Sequence, residues 1–351
     1  MIVFVWSGFP QYGARCVGAF VKAHPEKEVL VIATRPRVPI KGMEALCDCR
    51  IRWINGGASD LRELSDFDFA AVEVLFVDGW YVPAFNMLRQ RVAALGGRVF
   101  CMLDNNLQFY RGSYLKELVK ALRFRLQIRR HFEGYLVPGQ ASIRLLRFYG
   151  VDADKITTGF YSADPTLFGA GRPMRERQRK IIYVGQLNDR KNVALACEAF
   201  CRSGIAKLGW SFDLYGSGPL REKLGRQYAT SRSGVAIHSF VQPEELAALY
   251  QTAQAFILAS KEEHWGLVVH EAALSGCYLM LSERVGAKDD FLGHGNGRSF
   301  NPLDIGAIEN AFRTLAGMPN ENLEEARTES LRMAARVSLN SFVRGVENLL
   351  K

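Results

Sequence analysis

The feature that most constrains this chain is a rhythm that occurs twice. Short β-rich apolar runs at 2–5, 29–33, 72–77, 98–103 and 134–137 are separated mostly by helix-length segments. After a break, the same alternation resumes at 181–184, 211–215, 235–240, 255–259 and 278–282. Strands alternating with helices imply crossover connections, and crossovers build parallel sheets covered by helices. Two such series predict an α/β chain of two doubly wound lobes. The 351 residues agree, being too many for one ordinary α/β lobe and enough for two.

The stretch 169–179 (GAGRPMRERQR) is charged, contains Gly and Pro, and has no apolar period, so it reads as a linker. The lobes are then 1–168 and 180–336. In 337–351, Leu339, Phe342, Val343, Val346, Leu349 and Leu350 share one face of a terminal helix, expected to pack back on the first lobe.

Composition narrows the class. No run reaches the ~20 apolar residues of a membrane helix. The opening Met1-Ile2-Val3-Phe4-Val5-Trp6 lacks a basic leader and reads as a first strand, so a cytoplasmic location is expected. The seven cysteines are odd in number, and the Cys47/Cys49 and Cys197/Cys201 pairs have no histidines near them; reduced thiols and no metal site are expected. A net charge of +9 points to an anionic partner, which charge alone does not choose among nucleic acid, an acidic membrane and a phosphorylated substrate.

The chemistry is concentrated in 261–276 (KEEHWGLVVHEAALSG), directly after the apolar strand 255–259. Loops at the carboxyl ends of strands are where open α/β sheets bind ligands. Gly266 stands at the strand-to-helix turn, and the amides of Gly266, Leu267 and Val268 would be the unpaired first donors of the helix, a diphosphate site. Glu271 lies about one turn further in, suited to accept both hydroxyls of a ribose. Glu263, before the helix, could hold a sugar hydroxyl. The plain alternative makes Glu263 a helix-start acid and Glu271 a solvent-facing one.

In context, E-x-W-G-L-V-V-x-E-A resembles the E-x7-E signature of the retaining GT-B glycosyltransferases of glycosyltransferase family 4. That resemblance implies two Rossmann-like lobes with an interlobe cleft, the first binding acceptor and the second the donor. It implies ribose binding by Glu271, donor-sugar contact and catalysis by Glu263, and phosphate contact by the amides at Gly266, Leu267 and Val268. His264 stands where the family has Gly or Ser, beside Trp265 in the same donor loop. Residues 181–192 (IIYVGQLNDRKN) are similar to the family's V-G-R-L-x-x-x-K-N segment. Lys191 matches the diphosphate lysine, Gly185 matches the glycine, and Gln186 replaces the arginine, a loss for which Arg190 is placed to compensate. Gly216, in 212–220 (FDLYGSGPL), resembles the turn lining the nucleotide cleft, and Val241, after His238-Ser239-Phe240, the strand end that meets the base. Residues 282–291 (SERVGAKDDF) look like the loop contacting the donor sugar.

Over 1–168 the resemblance is looser: 9–14 (FPQYGA) has one glycine where two are common, and Asp104 stands in the region where a histidine often follows the fourth strand. Asp104 is thus a candidate polar group at the reaction centre, against the commoner role of helix cap. The resemblance implies metal-independent transfer of a hexosyl-type unit with retention, no cofactor, and a nucleotide-sugar donor, UDP first and GDP second. The expected acceptor is a glycan or lipid-linked molecule of a bacterial envelope. Rival readings are a sugar-nucleotide isomerase and a non-catalytic donor-binding relative. A dehydrogenase lacks its G-x-G-x-x-G after the first strand, and a nucleic-acid binder lacks its motifs.

Residues 116–130 leave two readings open. Lys116, Lys120, Arg123 and Arg130 recur at near-helical spacing beside Leu115, Leu118, Leu122 and Leu126. This is either a core-packed helix with a solvated basic face or a surface that docks on an anionic inner leaflet.

Overall fold

The computed structural model describes residues 1–36, 42–55, 64–107, 114–169, 171–230 and 233–351. They form two compact units, 1–162 with 337–351, and 163–336. The boundary therefore falls earlier than 168, and 169–179 is not a free linker. Arg177 is buried in the second unit, where its guanidinium donates to the carbonyls of Arg172, Ala253 and Ser275 at 2.7–3.0 Å. Arg172, Arg175, Glu176 and Arg179 are exposed, so one buried arginine stands among solvated charges that composition does not distinguish from it.

The first unit is a seven-stranded sheet in the order β3-β2-β1-β4-β5-β6-β7. Its strands are β1 Ile2–Trp6, β2 Val29–Thr34, β3 Arg50–Ile54, β4 Val74–Asp78, β5 Arg98–Met102, β6 Gly134–Val137 and β7 Ile156–Thr158. All pairings are parallel. Phe4, Phe76 and Phe100 stand in register on β1, β4 and β5 and stack at centroid separations of 5.0 and 5.1 Å. The terminal helix Leu339–Leu350, opened by a reciprocal Ser338/Ser341 capping box, brings Phe342 against Phe4 at 5.7 Å.

The helix Tyr114–Arg123, continuing into a π-helical turn at Phe124–Ile128, packs on the core by a face other than its leucine stripe. Its inward side is Glu117, Ala121 and Phe124, whereas Leu115, Leu118, Val119, Leu122 and Leu126 are 41–67% exposed. The apolar stripe faces outward. Among the described residues, no helix is long and apolar enough to cross a membrane.

The second unit is a six-stranded parallel sheet in the order β10-β9-β8-β11-β12-β13. Its strands are β8 Gln178–Val184, β9 Ser211–Tyr215, β10 Val235–His238, β11 Ala253–Leu258, β12 Tyr278–Ser282 and β13 Gly297–Phe300. The sheet order reverses at β8/β11, where a doubly wound sheet opens a crevice outside its strand ends. All seven cysteines are free thiols, five of them buried.

Candidate functional site

At that reversal point, the loops after β8 and β11 meet. Lys261 donates its amide to the carbonyl of Arg190 at 2.8 Å, and Arg190 returns a guanidinium bond to the carbonyl of Glu262 at 3.0 Å. This lacing delivers Lys191 to Glu263. Both side chains are buried and ion-paired, and the same carboxylate accepts from Ser260 Oγ at 3.2 Å and lies 3.7 Å from Arg190. Burial pulls the Lys191 ammonium below its ordinary pKa, opposed by the attraction of Glu263. Asn188 fixes the turn by accepting from the amide of Lys191 at 3.1 Å.

Gly266 begins the helix Leu267–Leu274 at φ 101°, a backbone region costly for other residues. A side chain there would also crowd Glu263, whose Cγ would stand 3.2 Å from the added Cβ. Among the described residues, the amides of Gly266, Leu267 and Val268 meet no acceptor, while that of Val269 is bonded to the carbonyl of Gly266 at 2.9 Å. Three free donors at a helix start, next to a buried lysine, form a receptor for an anion.

Glu271 is buried, not solvent-facing. Its carboxylate accepts from Tyr250 Oη at 3.3 Å, and burial raises its pKa to about 7, with the Tyr250 bond acting in the opposite direction. It keeps acceptor capacity for donors that a ligand would bring.

The loop 283–287 braces the site. The amide of Gly286 donates to the carbonyl of Glu263 at 3.3 Å and that of Ala287 to the carbonyl of Trp265 at 2.9 Å. The Trp265 side chain is fully buried and donates to Asp290 at 2.7 Å. It therefore offers a ligand only its backbone and acts on the site by holding the loop. His264 is half-buried, 3.9 Å from Glu262. Gln186 is exposed, its side-chain oxygen taken by Asn188 at 3.0 Å. Gly185 and Gly216 bring the ends of β8 and β9 together: a Cβ on Gly216 would stand 1.9 Å from the carbonyl oxygen of Gly185. Val241 lies half-buried beyond β10, whose His238 stacks on Tyr215 at 4.4 Å.

Asp104 belongs to the first unit, where it accepts from Tyr161 Oη at 2.9 Å. Its charge helps burial raise the pKa of Asp78, at the end of β4, to about 7, while the amide of Ser7 pulls the other way at 3.0 Å. Sequence reasoning missed Asp78, Ser260 and Tyr250. Ser260 could have been found as the hydroxyl three residues ahead of Glu263, and Asp78 as a strand-end acid. Tyr250 carried no local signal, being twenty-one residues from its partner.

Residues 170–330 match the family model described as Glycosyl transferases group 1, so the second unit carries that family's sequence pattern. The glycogen synthase of Mycobacterium tuberculosis is 28% identical over 201 residues, 56% of this chain and 45% of that protein. The sulfoquinovosyl transferase of Arabidopsis thaliana is 26% identical over 186 residues, 51% of this chain and 35% of that one. The matches thus span less than half the length of these curated relatives. Among solved structures, Anabaena HepE in complex with UDP and glucose has a TM-score of 0.75 at 13% identity, covering 99% of this chain and 98% of its own. This likeness supports the two-lobed GT-B fold.

Proposed function

We propose, from the membership of residues 170–330 in glycosyl transferases group 1, that the protein moves a hexosyl-type unit from a nucleoside diphosphate sugar to an acceptor hydroxyl. The reading includes retention of configuration, independence from metal, and a place in bacterial envelope glycan or glycolipid assembly. The observation that carries it is the grouping of the buried Lys191–Glu263 pair with three unpaired helix-start amides and the buried carboxylate of Glu271. In this scheme Lys191 and the amides of Gly266, Leu267 and Val268 hold the diphosphate, with Arg190 supplying the positive charge that Gln186 lacks. Glu271 accepts the ribose hydroxyls, and Glu263 meets the transferred sugar. As the diphosphate leaves, charge builds on its oxygens, and each donor waiting there stabilises that charge by ~2.7–4 kcal/mol. Solved structures of HepE with UDP and with UDP-glucose make a uridine diphosphate sugar the first donor to try and a guanosine one the second.

A thermal-shift comparison tests the donor. At a hundred times its Kd, a nucleoside diphosphate should stabilise the protein by ~2.7 kcal/mol. A melting temperature indifferent to both UDP and GDP would remove the reading. With the correct donor and an acceptor, turnover should persist in EDTA and the product should keep the anomeric configuration. Turnover lost to EDTA and restored by magnesium would show a metal requirement.

The outward Leu115/Leu118/Leu122/Leu126 stripe is flanked by Lys116, Lys120, Arg123 and Arg130, and we assign it an anionic bilayer as occupant. Apolar side chains enter the interface while each nearby basic residue adds about 1 kcal/mol. Co-sedimentation should require anionic vesicles, weaken with salt, and drop at least roughly tenfold when Arg123, Arg129 and Arg130 become Glu. Equal partitioning of mutant and wild type would reject a membrane role for this helix.

A further inference from the structure

The first unit contains a buried cation that the proposed transfer chemistry does not use. Arg89, in the helix Pro83–Ala94, is 6% exposed, its Nε has no hydrogen-bond partner, and among the described residues no carboxylate pairs with it. Its guanidinium lies over the ring of Phe132 at 5.5 Å. Burial lowers its pKa below that of an ordinary arginine. A buried Nε without an acceptor is costly, and such a group in a native protein implies an acceptor brought from outside the chain, an ion or a ligand.

Arg89 borders two cavities of ≈ 750 and ≈ 560 Å³. The smaller is also lined by Lys120, Arg123 and His131 between aromatic walls, with no carboxylate in its lining. Trp80 and Tyr81, just beyond β4, line it and also a third cavity of ≈ 80 Å³ that reaches Asn105 and Asn106, beside Asp104. Lys120 is paired with the buried Glu117 at 2.7 Å, which leaves Arg89 and Arg123 as the cations of the smaller cavity with no carboxylate against them. Guanidinium groups select phosphate oxygens, which accept from them in a fork. Trp80 and Tyr81 place the smaller cavity at the carboxyl end of β4, the side of a parallel sheet where substrates bind. The larger lies at the amino ends of β5, β6 and β7, by Val99, Glu133 and Lys155.

We propose that Arg89 anchors a phosphate subsite for the acceptor, so that the acceptor is a phosphate- or diphosphate-bearing molecule. This rests on the glycosyltransferase reading and gives its acceptor a chemical class. The same group could be borne by a lipid or by a soluble phosphorylated glycan, and the experiment separates the two.

His131 lines both cavities with Arg89, so its imidazole resonances report this site. Inorganic pyrophosphate, glycerol 3-phosphate and dihexanoyl phosphatidic acid below its micelle concentration would each be titrated while those resonances are followed by NMR. Saturable movement is expected with at least one of them. Tighter binding of the short-chain lipid than of glycerol 3-phosphate assigns the phosphate to a lipid, and equal or weaker binding assigns it to a soluble acceptor. Arg89→Gln should weaken the response on the order of ten- to a hundredfold. Arg123→Gln, at an exposed position that leaves the fold intact, should weaken it by roughly two- to fivefold and decides the matter if Arg89→Gln does not fold. Absence of movement with all three probes, or an Arg89→Gln protein that responds as wild type does, would overturn the subsite. UDP calorimetry on the same samples shows separately whether the donor site stands.

Discussion

Lys191→Ala should reduce turnover by about a hundred- to a thousandfold, the loss of ~2.7–4 kcal/mol of charge stabilisation in the transition state. It should also weaken UDP more than uridine, because the lysine is assigned to phosphate and not to the nucleoside. The substitution has a second cost. Glu263 is buried and paired with Lys191, and removing one partner of a buried pair strands the other charge, typically at 3–5 kcal/mol. Arg190 at 3.7 Å and the bond from Ser260 at 3.2 Å soften that loss toward the lower value. Stability and phosphate binding can be separated by adding Glu263→Gln, which removes the stranded charge. The double mutant should recover much of its melting temperature without recovering affinity for UDP, which carries no sugar for Glu263 to hold. Recovery of both would make the lysine a structural cation only.

Glu271→Gln is expected to change a pH profile as well as an affinity. The carboxyl's pKa is raised from 4.5 to about 7 in the folded protein. An acid whose pKa is raised by folding contributes its full stability below the unfolded value and loses it as pH climbs through the folded one. The nucleotide-free protein should therefore lose ~3 kcal/mol of stability between pH 4.5 and 7 through this residue, and the Gln variant should lack that slope. Nucleotide binding has the opposite sign, because ribose hydroxyls donate to the ionised carboxylate. Wild-type affinity for UDP should fall below pH 7 by up to about tenfold per pH unit. The ligand's own phosphate titrates in the same range but is common to both proteins, so the difference between them isolates Glu271. Above pH 7 the Gln variant should bind UDP about ten- to a hundredfold more weakly, as for a lost hydrogen bond to a charged group. Matching calorimetric profiles would place the ribose elsewhere.

The contrast between what the sequence disclosed and what it concealed is physical. Nine of the ten expected strands, all but β10, are interior to their sheets, and all ten appear within a few residues of their expected positions. The three missed strands, β3 with Arg50 and Arg52, β7 with three residues, and β13 with Gly297-Arg298-Ser299-Phe300, are all edges of their sheets. An edge strand has one neighbour and tolerates charge, so it lacks the buried pattern that reveals a central one. The linker at 169–179 was misread because a run of charges does not disclose that Arg177 is spent on buried carbonyls. At the site, Glu263, Gly266 and Glu271 were legible because a loop and its helix hold them in one short segment. Arg89 was not, since a buried arginine without a partner is visible only once the chain around it has been placed.

The terminal helix Leu339–Leu350 has a consequence for how the chain matures. It lays Phe342 on the aromatic stack of the first unit, yet it is encoded after the whole of the second. Residues 163–336 are contiguous and hold everything their own sheet requires, whereas residues 1–162 leave the ribosome with one wall of their core still unsynthesised. The order of completion is thus the reverse of the order of translation. The half made first is finished last, and until then the face bearing Phe4 is only partly covered, a period in which a nascent chain is prone to aggregation and served by chaperones.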